Sequence, residues 1–209
     1  INFLSVNAAS VLFDFDDANV VANGGMSLTN VRTAATNAMP NLAGSSVKSR
    51  YRDCSGIRNT YIGGSYAVSS AAATNTSGAG AGVLVKMAGT TTYTDLQWFS
   101  NSTSNAFVYD STQEIEINID LSLSFTGTNN DVLGIQLRLW DNSASSYVNI
   151  GSVFKATLNS SGRAENAAVF GRAVVNENDR IEVWIENQTG ARDITCEVGG
   201  FVGIEERQS

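Results

Sequence analysis

The stretch EIEINIDLSLSF, residues Glu114–Phe125, alternates polar and apolar residues over its whole length. Because successive side chains of a strand point to opposite faces of a sheet, this pattern predicts a strand with one wet and one buried face. At about 3.3 Å per residue the strand spans roughly 40 Å, the height of a whole β-domain. The predicted buried face consists of Ile115, Ile117, Ile119, Leu121, Leu123 and Phe125.

Further strand patterns lie on both sides of this stretch, separated by turn sequences such as GTNND, DNSASS and NEND. The turn GTNND predicts that Val132–Trp140 forms the second half of a hairpin with the long strand. Closely spaced strands with turns between them predict an antiparallel sandwich or barrel. The other predicted strands are Val83–Met87, Phe107–Asp110, Tyr147–Leu158, Glu165–Val175, Arg180–Glu186 and Asp193–Ile204.

Composition narrows the classes of partner. The 209-residue chain is 43% hydrophobic, which is enough for a sizeable core. Its net charge of −7 argues against nucleic acid as the main partner, because phosphate binding requires lysines and arginines that displace counterions. No apolar run approaches the ~18 residues of a membrane-spanning helix, so no membrane contact is predicted.

The first part of the chain has weaker patterns. Ala71–Gly82 is nearly all small residues and predicts a flexible connector, with a domain boundary near Gly80. We therefore expect an N-terminal attachment arm or shaft over residues 1–80 and a β-sandwich head over residues 81–209. Met26–Met39 could hold one short helix, although its Thr and Asn content makes that helix weak.

Two cysteines, Cys54 and Cys196, allow one disulfide but do not indicate a disulfide framework. Cys196 shares strand parity with Ile194, which predicts an ordinary buried thiol. A Cys54–Cys196 bridge is the less favoured alternative, since spacing alone does not show that the two sulfurs are close.

The chain contains no histidine, which removes Ser-His-Asp and Cys-His catalysis and nearly all zinc sites. No phosphate-binding glycine motif is present, so no cofactor is predicted. The acidic turn that contains Asp14, Asp16 and Asn19 could hold calcium, but it lacks the glycine and closing Glu of an EF-hand loop. We therefore predict no metal site.

Paired carboxylates are the remaining route to catalysis, because a glycosidase needs only two. Glu114, Glu116 and Asp120 share the polar face of the long strand, and Glu182 and Glu186 share that of a later one. The favoured interpretation is that they are solvated residues that keep the sheets soluble. The alternative is a catalytic pair in a cleft.

Two of the three tryptophans occupy nominally wet positions. Strand parity places Trp140 and Trp184 on outward faces, beside Arg138, Glu182 and Glu186. Exposed aromatic residues at such positions are typical of covered surfaces, so these five residues are candidates for contact between subunits. The alternative is shielding by neighbouring loops.

A basic cluster stands out in the otherwise neutral N-terminal part. It predicts either an ordinary solvated face or electrostatic docking on an acidic protein surface. Its members, which are the candidate attachment residues, are Lys48, Arg50, Arg52 and Arg58.

Several segments together resemble a known family. They include KMAGTTTYTDLQWF (86–99), NDRIEVWIENQT (178–189) and DITCEV (193–198). The chain resembles the tumour-necrosis-factor-like and complement-head-like jelly rolls of bacteriophage fibre, spike and head-decoration proteins, over about residues 81–207. A Glu-Asn-Asp turn at 177–179 replaces the Gly-Asp usual in that family. The resemblance implies an all-β antiparallel jelly roll of eight to ten strands, a homotrimer and a place on the virion surface, and it transfers no catalytic residue.

The resulting hypothesis is a non-enzymatic virion protein, assembled in the host cytoplasm. Residues 1–80 would bind a capsid or tail protein, and the head would stabilise the capsid, bind a host glycan or protein, or do both. A capsular-polysaccharide depolymerase and a secreted lectin-like adhesion domain are the alternatives. The candidate receptor-loop residues are Asn101, Asn105, Asn142 and Asn159.

Overall fold

The computed structural model describes residues 25–29, 48–52, 62–159 and 165–207. The chain divides into one unit over residues 1–61 and a second over residues 62–209. In the first unit, β1 (Gly25–Thr29) pairs in parallel with β2 (Lys48–Arg52). A short helix was predicted within Met26–Met39, but residues 26–29 belong to the strand β1. The rest of that range lies outside the described residues.

The second unit consists almost entirely of strands, with one helical turn, α1 (Thr76–Ala79). In chain order the strands are β3 (Gly63–Ser70), β4 (Ala72–Thr74), β5 (Val85–Lys86), β6 (Thr90–Gln97), β7 (Phe99–Ser100), β8 (Ala106–Tyr109), β9 (Ile115–Thr126), β10 (Val132–Asp141), β11 (Ser146–Thr157), β12 (Glu165–Val175), β13 (Arg180–Asn187), β14 (Ile194–Cys196) and β15 (Phe201–Glu206).

These strands form two antiparallel sheets. The first sheet has the order β12-β9-β15-β3-β6, with β14 and β4 continuing beside the end of β9. The second has the order β11-β10-β13-β8-β7, with β5 also paired to β13. The chain crosses between the sheets after β4, β5, β6, β8, β9, β11, β12 and β13. Such repeated crossing is the connectivity of a jelly-roll sandwich. The predicted fold class is confirmed.

The strand β9 forms the middle of the core. Its odd-numbered residues are at most 4% exposed, and its even-numbered residues lie on the outer face of the first sheet. The apolar face packs against residues such as Leu133, Leu137 and Ile185 of the second sheet in one continuous core. The parity predicted from EIEINIDLSLSF is confirmed.

The predicted hairpin between β9 and β10 is wrong. The strand β9 pairs with β12, β14 and β15, whereas β10 lies in the other sheet between β11 and β13. Both strands carry strongly apolar faces, and packing these faces against each other buries more surface than placing the strands side by side. The loop over residues 127–131 therefore connects the two sheets.

The segment Ala71–Gly82, predicted as a flexible connector, instead holds ordered structure. The strand β4 pairs with β14, and Asn75 caps α1 by accepting a hydrogen bond from the Gly78 amide at 2.9 Å. The strand β3 lies within the first sheet, between β15 and β6. The second unit therefore begins at Ile62, which differs from the boundary expected near Gly80.

Cys196 is a buried, free thiol on β14. Burial, together with the nearby Glu197 carboxylate, raises the pKa of this thiol to about 12. The prediction of an ordinary buried thiol is confirmed. Cys54 lies outside the described residues, so its pairing stays a prediction.

An ion pair between a buried carboxylate, Asp131, and a half-exposed arginine, Arg192, holds the loop between β9 and β10. Asp131 is fully buried, and the Nε atom of Arg192 donates a 3.0 Å hydrogen bond to its Oδ1. The Thr128 amide donates to Oδ2 at 3.0 Å. Burial by itself raises the pKa of Asp131, but the hydrogen bonds from Arg192 and Thr128 outweigh it and hold the pKa below its ordinary value.

We expect Asp131→Asn to reduce the amount of stability that the protein loses as the pH falls. A carboxyl whose pKa is lowered by folding stabilises the fold above its unfolded pKa of about 3.9, and this contribution is lost as the pH falls. The wild type should therefore lose more stability between pH 7 and pH 3 than the variant, measured as the urea midpoint. Asp120→Asn, at an exposed position, is the control. Parallel losses in wild type and Asp131→Asn contradict the prediction.

Candidate functional site on the outer face of the second sheet

Three neighbouring strands, β10, β11 and β13, place polar and aromatic side chains together on the outer face of the second sheet. Register sets Trp140 between Tyr147 and Arg180, and sets Arg138 opposite Glu182. Lys86 on β5 lies opposite Trp184 at the other side of β13. We call this group the Arg-Trp cluster: Lys86, Arg138, Trp140, Tyr147, Arg180, Glu182 and Trp184.

Aromatic rings and guanidinium groups alternate within the Arg-Trp cluster. The Tyr147 ring meets Trp140 and Trp184 edge-on, with centroid distances of 4.9 Å in both cases. The Arg138 guanidinium lies 4.6 Å from the Tyr147 centroid and 4.5 Å from that of Trp184. The Arg180 guanidinium lies 4.8 Å from that of Trp140. Each such contact stabilises by about 0.5–2 kcal/mol, so these contacts hold the rings and guanidinium groups in place.

Glu182 is the buried anion of the cluster, with 1% of its surface exposed. Its Oε1 accepts a 2.9 Å hydrogen bond from the Lys86 ammonium. Its Oε2 accepts from the Tyr147 hydroxyl at 3.0 Å and from Trp184 Nε1 at 2.9 Å. Burial and the Glu182 carboxylate both raise the pKa of Tyr147, which keeps its hydroxyl a donor.

Two buried guanidinium nitrogens in the cluster lack a hydrogen-bond partner. Among the described residues, the buried side-chain nitrogens and oxygens without a hydrogen bond are Nε of Arg138 and Nε of Arg180. Arg180 Nε is 4.0 Å from Oε1 of Glu182, which is an ion-pair distance but too long for a hydrogen bond. Glu182 accepts its hydrogen bonds from three other donors, and neither arginine Nε donates one to it.

Glu186 is also buried, at 5% exposure. Its side chain lies flat over Gly134, where an added Cβ would come 2.6 Å from Glu186 Cγ. Its carboxylate accepts a hydrogen bond from the Gln188 amide. The prediction that Glu182 and Glu186 are solvated, or available to another subunit, is therefore wrong, because their own chain covers both.

The outward placement of Trp140 and Trp184 is confirmed, and both are half-buried. Cross-strand neighbours contact both rings. Sequence reasoning missed Tyr147, Arg180 and Lys86. The hairpin turn DNSASS was the available signal, since it sets Tyr147 opposite Trp140.

The carboxylates of the long strand do not form a catalytic pair in the described structure. Glu116 pairs with Arg207 at 2.7 Å and with Arg172 at 3.5 Å, while Glu114 and Asp120 are exposed. In the parts of the chain that the structure describes, no three His, Cys, Asp or Glu residues are placed to hold a metal ion. Nor do those parts include a helix long and apolar enough to cross a membrane.

The structure does not bring the candidate receptor-loop residues together. Asn142 lies in the β10–β11 turn, whereas Asn159 follows β11 at the opposite end of the sandwich, and both are exposed. Asn101, in the β7–β8 turn, is exposed as well. Asn105 is buried, and its amide donates to the carbonyls of Met87 and Gly89. Asn105 is therefore a structural residue, and its assignment as a receptor contact is wrong.

The candidate attachment residues lie in the first unit. Lys48, Arg50 and Arg52 belong to β2, and Arg58 lies outside the described residues. Their role in docking stays a prediction.

Sequence reasoning also missed an apolar surface formed by residues outside the Arg-Trp cluster. Within the described residues, β11 pairs only with β10 and β12 only with β9, so each ends its sheet. Both strands expose large apolar side chains, and so does β15. The sequence signal for this surface was that β12 has apolar residues at positions on its outer face, where alternation predicts polar ones. We call this group the edge surface: Val148, Phe154, Phe170, Val174 and Phe201.

Comparisons with known proteins give structural likeness only. No family model and no curated protein matches the sequence. Murine APRIL at pH 8.5 is similar in fold, with a TM-score of 0.49 and 6% identity over 71% of this chain and 100% of that chain. Murine APRIL at pH 5.0 gives 0.48 and 7% over the same shares. Eiger TNF from S. frugiperda gives 0.44 and 8%, over 71% and 94%. The jelly-roll assignment rests on the strand order itself.

Proposed function

We propose that this chain is a non-enzymatic structural protein of a bacteriophage particle that assembles as a homotrimer. Its N-terminal part attaches to a capsid or tail protein, and its jelly-roll head faces outward for capsid stabilisation and adhesion to the host surface. The sequence resemblance supports the particle and the trimer. The structural observation that supports the assembly is the exposure of the edge surface.

Exposure of the edge surface is unusual for a monomer. Phe170 is 75% exposed on the outer face of β12, and Val174 is 46% exposed on the same face. Across β9, the Phe201 ring lies over Gly203, where an added Cβ would come 2.7 Å from ring atom Cζ. Large apolar side chains that are exposed to this extent are typical of subunit interfaces.

The edge surface suits a second copy of this chain. The apolar edge formed by β11 and β12 and the flat patch around Phe201 are different parts of one molecule. Contact between the edge of one copy and the patch of the next is head-to-tail, and such contacts form a closed trimer when the rotation between copies is one third of a turn. The rings of Trp140 and Trp184, by contrast, each pack against an arginine guanidinium of the same chain, so less of their surface is left for another subunit. We therefore propose the edge surface, and not the Arg-Trp cluster, as the trimer contact.

We expect the wild-type protein to have three times the 22.1 kDa mass of the chain in light-scattering measurements. Phe170→Asp should shift this mass towards the monomer, because it places a charge in the proposed apolar contact. Val83→Asp makes the same change at an exposed apolar residue near β5, at the opposite side of the second sheet, and should leave the trimer intact. A monomeric wild type overturns the assembly, and an unchanged Phe170→Asp trimer overturns the contact.

The place on the particle needs a separate test. Antibodies against the head should label purified bacteriophage particles, on capsid faces for a decoration protein or at vertices or tails for a spike or fibre. Particles that carry no copy of the chain overturn the virion role.

A further inference from the structure

We propose that the Arg-Trp cluster binds a saccharide that carries a carboxylate group. This names a ligand for the adhesive role in the proposed function and rests on that role. The site lies on the face of the second sheet, between Arg138 and Arg180, and not in the loops at the ends of the sandwich.

The unpaired guanidinium nitrogens carry the inference. Buried polar atoms are nearly always hydrogen-bonded, so an exception marks a side chain that gains a hydrogen bond by turning towards a partner. The two exceptions in the described structure, Nε of Arg138 and Nε of Arg180, belong to one cluster. Their residues are diagonal neighbours on adjacent strands, since Arg138 faces Glu182 and Arg180 stands two residues before it. Diagonal neighbours are close enough for long side chains to contact one small ligand.

Charge indicates an anion as the missing partner. The cluster contains three cations, Lys86, Arg138 and Arg180, and one anion, Glu182. Glu182 accepts its hydrogen bonds from Lys86, Tyr147 and Trp184, and its contact with Arg180 is an ion pair at 4.0 Å without a hydrogen bond. This local positive surface lies in a chain whose net charge is −7. A planar guanidinium presents paired donors that match a carboxylate.

The aromatic residues favour a sugar as the carrier of that carboxylate. Trp140, Tyr147 and Trp184 are half-buried, so part of each side chain remains at the surface beside the guanidinium groups. Ligand sites typically combine such aromatic walls with a few fixed polar groups. The aromatic walls match the apolar C–H faces of a sugar ring, and the Arg138 edge matches its carboxylate. Nucleic acid is disfavoured, because the acidic chain repels a phosphate backbone.

The three tryptophans provide a direct measurement. In full-length protein labelled with 5-fluorotryptophan, titration with glucuronic acid should shift the fluorine signals of Trp140 and Trp184. Trp98 lies in the core and should not respond, so it serves as an internal control. Trp→Phe variants assign the signals. Glucose lacks the carboxylate and acetate lacks the sugar ring, so each should bind at least about tenfold more weakly.

Arg138→Gln should weaken glucuronate binding by about tenfold or more, because it removes the charged donors. Arg172→Gln makes the same change on the outer face of the first sheet and should leave binding unchanged. An unmoved Trp98 signal reports that the Arg138→Gln core is intact. Arg138→Lys keeps the charge without the planar fork and should restore little of the affinity.

Three results overturn the inference: no shift with glucuronic acid, equal binding of acetate, or unchanged binding in Arg138→Gln. The mass measurement separates this failure from failure of the proposed assembly. A trimer that shows no response to glucuronate contradicts the proposed binding site but not the assembly. A monomer that shows the full response contradicts the assembly but not the binding site.

Discussion

Ile117→Ala is expected to lower the free energy of unfolding by about 3–4 kcal/mol. Ile117 is fully buried at the centre of β9, in the core shared by both sheets. Truncation to alanine removes three carbon atoms from close-packed surroundings. Because β9 is paired along both edges, the backbone cannot move to fill the cavity, so both the transfer and the cavity cost remain. Urea unfolding followed by tryptophan fluorescence, at one fixed protein concentration, measures the loss.

Asp120→Ala provides the matched control on the same strand. Asp120 lies three residues further along, is exposed, and belongs to the polar set of the alternation. Its replacement should change the free energy of unfolding by no more than about 0.5 kcal/mol. Similar losses in both variants contradict the parity on which the sandwich depends.

The alternation in β9 was readable from sequence because its period is strict. A strand with one buried face needs apolar residues at every second position, and EIEINIDLSLSF meets this requirement from Ile115 to Phe125. The bounds of β12, Glu165–Val175, were predicted to the residue. Local pattern is sufficient for such elements, because their residues specify both the conformation and the buried face.

The sheet to which each strand belongs could not be predicted from the sequence in the same way. A turn such as GTNND fits a hairpin and a crossover equally well, and the choice depends on which apolar faces meet in the core. The strand β6, Thr90–Gln97, was missed because its TTTYTDLQ sequence has little apolar alternation. It is placed at the end of the first sheet by pairing with β3.

The Arg-Trp cluster also depends on register between strands distant in sequence. Parity placed Trp140 and Trp184 outward, but it could not show that Arg138 would stack on Trp184 or that Lys86 would reach Glu182. Glu182 was consequently interpreted as a solvated residue. Burial of a charged side chain becomes favourable only when donors from other strands surround it.

Glu182→Leu is expected to destabilise the sandwich by about 3 kcal/mol, although it replaces a charged residue with an apolar one. The variant leaves the Tyr147 hydroxyl and the Trp184 indole N–H without their acceptor. Lys86 loses its partner too, but it is 28% exposed and can turn to water, which moderates the loss. Glu182→Gln keeps an acceptor oxygen and should cost less. Urea unfolding at pH 7 measures both variants.

Glu116→Leu is the control that separates a buried carboxylate from an exposed one. Glu116 also pairs with basic side chains, Arg172 and Arg207, but it lies on the outer face of the first sheet with 34% of its side chain exposed. Water screens such pairs, so its replacement should cost less than about 1 kcal/mol. If Glu182→Leu costs no more than Glu116→Leu, the donors around Glu182 are satisfied by water in solution. The cluster would then be an open surface, and its arginines would need no external partner.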